Sequence, residues 1–113
     1  MKNNSLQGYN SRYITLKCDG SAKPGDLVVM SANNTVKKAT SGKFMGVLHS
    51  LRGEYGLVQT GGFTVLHYSG ADPEVGFQNI AADASGDGVK SESGREVTVI
   101  EVDPSAKNAG ILF

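Results

Sequence analysis

The chain runs through nearly the same pattern twice. Residues 24–60 read Pro24-Gly25-Asp26, then Leu27-Val28-Val29-Met30, a turn from Ser31 to Asn34, then Thr35-Val36-Lys37-Lys38. Gly46-Val47-Leu48 follows and, after a polar loop, Gly56-Leu57-Val58-Gln59-Thr60. Residues 75–113 keep the order: Val75-Gly76-Phe77, Asn79-Ile80-Ala81, a Gly-rich turn, Gly88-Val89-Lys90, Val97 to Val102, a polar loop, Gly110-Ile111-Leu112-Phe113. Corresponding positions lie 51 to 54 residues apart. Two copies are too few for a solenoid, in which each unit needs neighbours on both sides to bury its faces. Paired short-strand units of this size instead form one small β-barrel or β-sandwich. Such a fold uses the whole chain as framework and leaves no room for a separate enzyme domain.

With 113 residues the chain is long enough for one domain with a core of its own. Lys plus Arg number 11 and Asp plus Glu 11, so the formal net charge is zero. Nucleic-acid binders draw most of their affinity from neutralising phosphates with a basic excess or stripe, and neither is present. Zero net charge also offers little electrostatic resistance to self-association. The single cysteine, Cys18, rules out an internal disulfide and any multi-cysteine metal site. It falls in the strand-like run Tyr13 to Cys18 and reads as a half-buried structural thiol of a protein folded in a reducing cytoplasm. No apolar run approaches the roughly 18 residues that span a bilayer, and the start Met1-Lys2-Asn3-Asn4-Ser5 lacks a signal-peptide core. No membrane is expected among the partners.

Fifteen glycines separated by β-branched clusters read as an all-β protein with many turns. The pattern predicts ten strands: 12–18, 27–30, 35–39, 44–49, 56–60, 63–68, 78–81, 88–91, 97–102 and 109–113. At most one short helical turn fits within 71–83, where Asp72 caps and Pro73 opens it. Asn33-Asn34 and Gly86-Asp87-Gly88 supply hairpin turns, and Gly61-Gly62 marks a bend or bulge. Residues 1–11 differ from the rest, being rich in Asn, Ser, Gln and Gly. They read as an extended N-terminal arm preceding a single β domain over 12–113. The arm cannot offset its ordering entropy by its own burial. It is expected to lie against a neighbouring subunit or partner, or on its own barrel.

Side-chain chemistry points away from catalysis. His49 and His67 show no ligand spacing with carboxylates or Cys18 that would hold zinc. His67 reads as an interface or partly buried histidine, His49 as exposed. The Gly-x-Ser-x-Gly elbow is absent and the serines cluster in turns. Asp83-Ala84-Ser85-Gly86-Asp87-Gly88 has a faint calcium-loop look, but Gly94 stands where a bidentate Glu is required. It reads as a hairpin turn. Dinucleotide and P-loop fingerprints are missing, so no cofactor is expected. Lys37, Lys38, Lys43 and Arg52 make a basic spot without interleaved aromatics, and nucleic acid is left off the partners. The tyrosines Tyr9, Tyr13, Tyr55 and Tyr68 read as amphipathic anchors at protein interfaces, with a core position the alternative for Tyr13 and Tyr68.

Taken together, Lys23-Pro24-Gly25-Asp26-Leu27-Val28-Val29, Thr35-Val36-Lys37-Lys38-Ala39 and Phe44-Met45-Gly46-Val47-Leu48 resemble the small decoration, or cement, proteins of tailed-bacteriophage capsids. The likeness covers about Lys23 to Phe113, and its order and duplication carry it. The second copy departs from the pattern, with Gly76-Phe77 in place of Gly-Asp and no glycine in Val97-Thr98-Val99. The resemblance implies a non-enzymatic virion protein, made in the bacterial cytoplasm and seated outside the expanded capsid. It implies major capsid protein as partner, bridging and stabilisation of the shell as function, and a homo-oligomer, a trimer first. Asn4, Leu6 and Tyr9 of the arm, with Tyr13 and Tyr68, are the interface residues expected. The alternatives are a β-barrel at a head–tail or tail interface, and a small carbohydrate- or oligonucleotide-binding module.

Overall fold

The structure, a computed structural model, describes residues 11–113. Ten strands account for its regular structure: β1 (Arg12–Cys18), β2 (Leu27–Ala32), β3 (Thr35–Lys38), β4 (Gly46–Arg52), β5 (Tyr55–Gly61), β6 (Phe63–Ser69), β7 (Gly76–Ala82), β8 (Gly88–Lys90), β9 (Arg95–Asp103) and β10 (Asn108–Leu112). Each overlaps one of the ten strands predicted. The helical turn allowed within 71–83 does not form. The chain bends there, and Gly76 at φ 112° opens β7 directly. A glycine at such an angle is compatible with a turn into a strand and not with a helical residue.

Each half of the chain closes on itself. The first five strands form a closed barrel in the order β1-β3-β2-β4-β5, and the last five form another, β6-β8-β7-β9-β10, with the same neighbours. In both, the first and third strands run parallel and every other pair is antiparallel. The all-β fold built from two repeated units therefore holds, and the repeat is longer than 24–60 and 75–113, taking in β1 and β6. Register matches Leu16 with Leu66, Met30 with Ala82, Leu48 with Val99 and Val58 with Ile111. Even an irregularity is repeated. The β4–β5 ladder skips His49, and the β9–β10 ladder skips Ile100. A bulge kept at the same place in both copies is part of the barrel's closure, because it sharpens the local twist.

Each barrel has its own hydrophobic core, and the core of the second reaches into the first unit. Leu16, Cys18, Val28, Val36, Leu48 and Val58 fill the first barrel. The second core, around Leu66, Tyr68, Ile80, Val97, Val99 and Ile111, also takes in Leu27, Ala39, Phe44 and Val47 from the first unit. Backbone hydrogen bonds cross the same junction: the Leu27 N–H donates to the Gly86 carbonyl at 2.9 Å and the Ala82 N–H to the Gly42 carbonyl at 2.9 Å. Only Gly62, at φ 89°, separates β5 from β6, so the predicted bend is the joint itself. Buried Gln59 holds it, its Nε2 donating to the carbonyls of Gly61 (3.1 Å) and Phe63 (2.9 Å). With Leu27, Ala39, Phe44 and Val47 of the first unit built into the second barrel's core and a single residue between the units, they are expected to unfold together.

The Asp83–Asp87 turn contains the most heavily bonded carboxylate. Asp83 Oδ2 accepts from the Ser69 hydroxyl at 2.5 Å, and Oδ1 from the N–H groups of Ser85 (2.8 Å) and Asp87 (3.0 Å). Partial burial works against its charge, but these donors outweigh it and hold the carboxyl below its ordinary value of 3.8. A carboxylate depressed in the folded state adds stability above its unfolded value and loses it as pH falls through the folded one. Acid unfolding monitored below about pH 4 should therefore steepen with Asp83 present. The Asp83→Asn variant should start less stable at neutral pH and fall less with acid. Parallel pH curves for the two proteins would remove Asp83 from this role.

Candidate protein-docking face

The outer surface of β1, β5 and β4 concentrates the interface chemistry of the described residues. Cross-strand pairing sets its rows: Thr15 beside Leu57 and Ser50, then Lys17 beside Tyr55 and Arg52. Above them stands Tyr13, 43% exposed, its ring edge-on to the His49 imidazole at 5.4 Å and 64°. The bulge explains that contact. The extra residue sets His49 beside Tyr13 and shifts the following positions so that Ser50 and Arg52 continue the outer face. Thr15, Ser50, Arg52, Tyr55 and Leu57 line a shallow groove there. Lys17 pairs with Glu54 at 3.8 Å in the open, a contact of little energetic weight.

The second copy shows what is particular to this face. The rows equivalent to Thr15-Leu57-Ser50 and Lys17-Tyr55-Arg52 are Val65-Gly110-Glu101 and His67-Asn108-Asp103. One fold thus presents a tyrosine-rich, basic face in the first unit and an acidic, polar one in the second. Asp103 is held below the usual carboxylate range by the Ser105 hydroxyl and the Ala106 N–H, so the second face keeps its negative charge. Rigid, amphipathic tyrosines beside an arginine are the side chains that anchor protein interfaces.

The expected site residues fall out unevenly. Asn4, Leu6 and Tyr9 lie outside the described residues. Tyr13 is on the face, and Tyr55, 54% exposed, joins it. Tyr68 is corrected: it is 1% exposed, inside the second barrel, and belongs to the core. Its hydroxyl donates to Asp72 Oδ1 at 2.6 Å, and burial together with that carboxylate pushes the phenol up to about 12. Alternation along β6 places Leu66 and Tyr68 inward and Val65 and His67 outward. His67 is exposed beside Asp87 Oδ2 at 3.1 Å. Cys18 is buried, its thiol pushed up by burial and then by Asp19, as a structural thiol would be. Among the described residues no three His, Cys, Asp or Glu side chains gather closely enough to hold a metal ion. Leu57 and Phe77 went unnoticed in the sequence. Leu57 sits in an apolar run that reads as core, and only its register turns it outward. No family model, curated protein or solved structure matches the chain.

Proposed function

We propose that the protein is a structural docking module of a virus particle, a decoration protein that binds outside an expanded bacteriophage capsid and bridges major capsid subunits. The observation that carries the docking reading is the tyrosine-rich face around Tyr13, Tyr55 and Leu57, built on rigid strands of a closed barrel. The phage assignment rests on the resemblance of the Lys23–Leu48 pattern. A module that contacts two subunits at once binds the assembled lattice more tightly than free subunits, and so stabilises that lattice by mass action. A site that exists only after expansion would couple binding to maturation.

Cosedimentation of the purified protein with capsids lacking it, unexpanded and expanded, tests the reading. Saturable binding to expanded shells alone, in hundreds of copies, is the expected result. A handful of copies per particle would favour a head–tail or tail-interface barrel, and binding to neither form would end the capsid reading. Tyr13→Ala combined with Tyr55→Ala is expected to weaken binding at least about tenfold, since truncating a central aromatic anchor commonly costs about 2 kcal/mol or more. Unchanged binding would show that this face points elsewhere.

A further inference from the structure

We infer that the outer face of the second barrel around Phe77 docks a second copy of this chain, head to tail, in the way the first barrel's face takes the second barrel. The inference rests on the repeat and does not depend on the capsid reading. In the first unit the cross-strand row Leu27-Val47-Gln59 is 0%, 5% and 4% exposed, because the second barrel covers it. The counterparts of Val47 and Gln59 are Thr98 and Leu112, and Phe77 is the β7 residue paired with Thr98. β7 is shifted by two residues along β9, so Leu27's own counterpart, Asn79, pairs with Glu96 and is exposed as well. Nothing among the described residues covers the row Phe77-Thr98-Leu112: Phe77 is 77% exposed, neighbouring Val75 is 68% exposed, and Thr98 and Leu112 are half-buried. An exposed phenylalanine in such a row marks an apolar surface that association would remove from water. The groove it lines includes Val97 and Phe113, which also belong to the inter-barrel core, so the open face continues an interface the molecule already forms.

The repeat also names the surface that fits. The second barrel meets the first through its Ala82–Gly88 hairpin, whose Gly86 carbonyl accepts the Leu27 N–H and whose Ala82 N–H donates to Gly42. Register makes the Met30–Val36 hairpin its counterpart in the first barrel. There Met30 is 46% exposed and Ser31 to Asn34 are exposed, with no second barrel to hold them. Among the described residues each chain thus carries a second strand row and a second hairpin related by the repeat to those at its internal junction, the row lacking only a counterpart of the 39–45 segment that delivers Phe44. Joining them is a heterologous contact, which closes into a ring where the rotation permits and otherwise continues as a chain.

Sedimentation velocity of the full chain over a range of concentrations tests this. Self-association of the unaltered protein is expected, and Phe77→Asp should weaken it by at least about tenfold, as should Met30→Lys, whose aliphatic stem retains the local packing. Both positions are exposed, and thermal melts of the variants check that each folds. The decisive arm mixes the two variants. Each keeps one good half, so a head-to-tail contact predicts that the mixture forms dimers and stops there. No recovery on mixing would overturn head-to-tail docking in favour of a face that meets itself. A monomer at every concentration would overturn the second copy as occupant, and loss of shell binding by Phe77→Asp in that case would assign the face to the capsid.

Discussion

Replacing Phe44 with alanine is expected to destabilise the protein by about 3–5 kcal/mol, the range for truncating a buried aromatic ring. Against a total of about 5–15 kcal/mol for a domain of this kind, that is a large part of the whole. Phe44 comes from the segment joining β3 to β4, yet it is 3% exposed inside the core of the second barrel. Its ring lies 6.2 Å from that of Phe113, and the Arg95 guanidinium sits over both, 5.6 Å from Phe44 and 4.9 Å from Phe113. Arg95 Nη1 donates to the Met45 carbonyl at 2.9 Å, fixing the same segment from the other side. Burial lowers the guanidinium pKa, but an arginine stays charged at any working pH, and the two ring faces and the carbonyl stand in for water around it. Phe44→Ala would leave a void between the barrels and remove one face of that cation–π pair. The midpoint of thermal unfolding should fall by about 10–20 °C, in one transition because first-unit side chains are part of the second barrel's core. A fall of a few degrees would mean that the junction collapses around the gap. Two separated transitions would mean that the barrels are independently stable.

How far this architecture is legible in the sequence depends on the range of the interactions concerned. Strand positions follow from alternation and turn chemistry, which are local, and so all ten appear. Asn34 takes φ 56° and Gly86 φ 84°, as hairpin turns of those residues require. Closure is not local. The repeat visible from Pro24 and Val75 onward omitted β1 and β6, whose sequences Arg-Tyr-Ile-Thr-Leu-Lys-Cys and Phe-Thr-Val-Leu-His-Tyr-Ser share little beyond alternation. Without those strands neither unit can complete its ring, and the visible repeat leads to a single barrel or sandwich made from both. The site suffers from the same limit. Tyr13 and Tyr68 look alike as members of alternating strands, and only register sends one to solvent and the other to the core. Phe77 lies in Val75-Gly76-Phe77, an apolar stretch that by itself reads as core. It is exposed because no element among the described residues packs on it, which no local pattern encodes.

Gly94→Ala is expected to be among the most damaging single methyl additions, and the reason is backbone rather than torsion. Gly94 is buried at the end of the β8–β9 connection, where its N–H donates to the Ser91 carbonyl at 3.0 Å. A Cβ there would lie 2.3 Å from the Ile80 carbonyl carbon, 2.4 Å from its oxygen and 2.5 Å from the Ala81 nitrogen. No side chain can swing aside, because all three atoms belong to the main chain of β7. Relief requires β7 and the start of β9 to move apart exactly where Ile80 pairs with Arg95. That pair anchors both the second barrel's core and the guanidinium over Phe44. Overpacking of this kind costs about 1–3 kcal/mol where neighbours can adjust, and more where they cannot. The upper end or beyond is expected here, with loss of the inter-barrel contacts as the visible consequence. Denaturant unfolding of Gly94→Ala beside Gly20→Ala makes the comparison fair: a Cβ at Gly20 meets nothing within 4 Å, and its φ of 96° confines that variant's cost to local strain. If the two variants lost similar stability, the close approach of β7 would not be what reserves position 94 for glycine. A much larger loss at Gly94 would establish that the seven-residue connection of the first unit (39–45) and the four-residue one of the second (91–94) perform different tasks, the longer delivering Phe44 to the neighbouring barrel and the shorter drawing its own strands tight around the ring it enters.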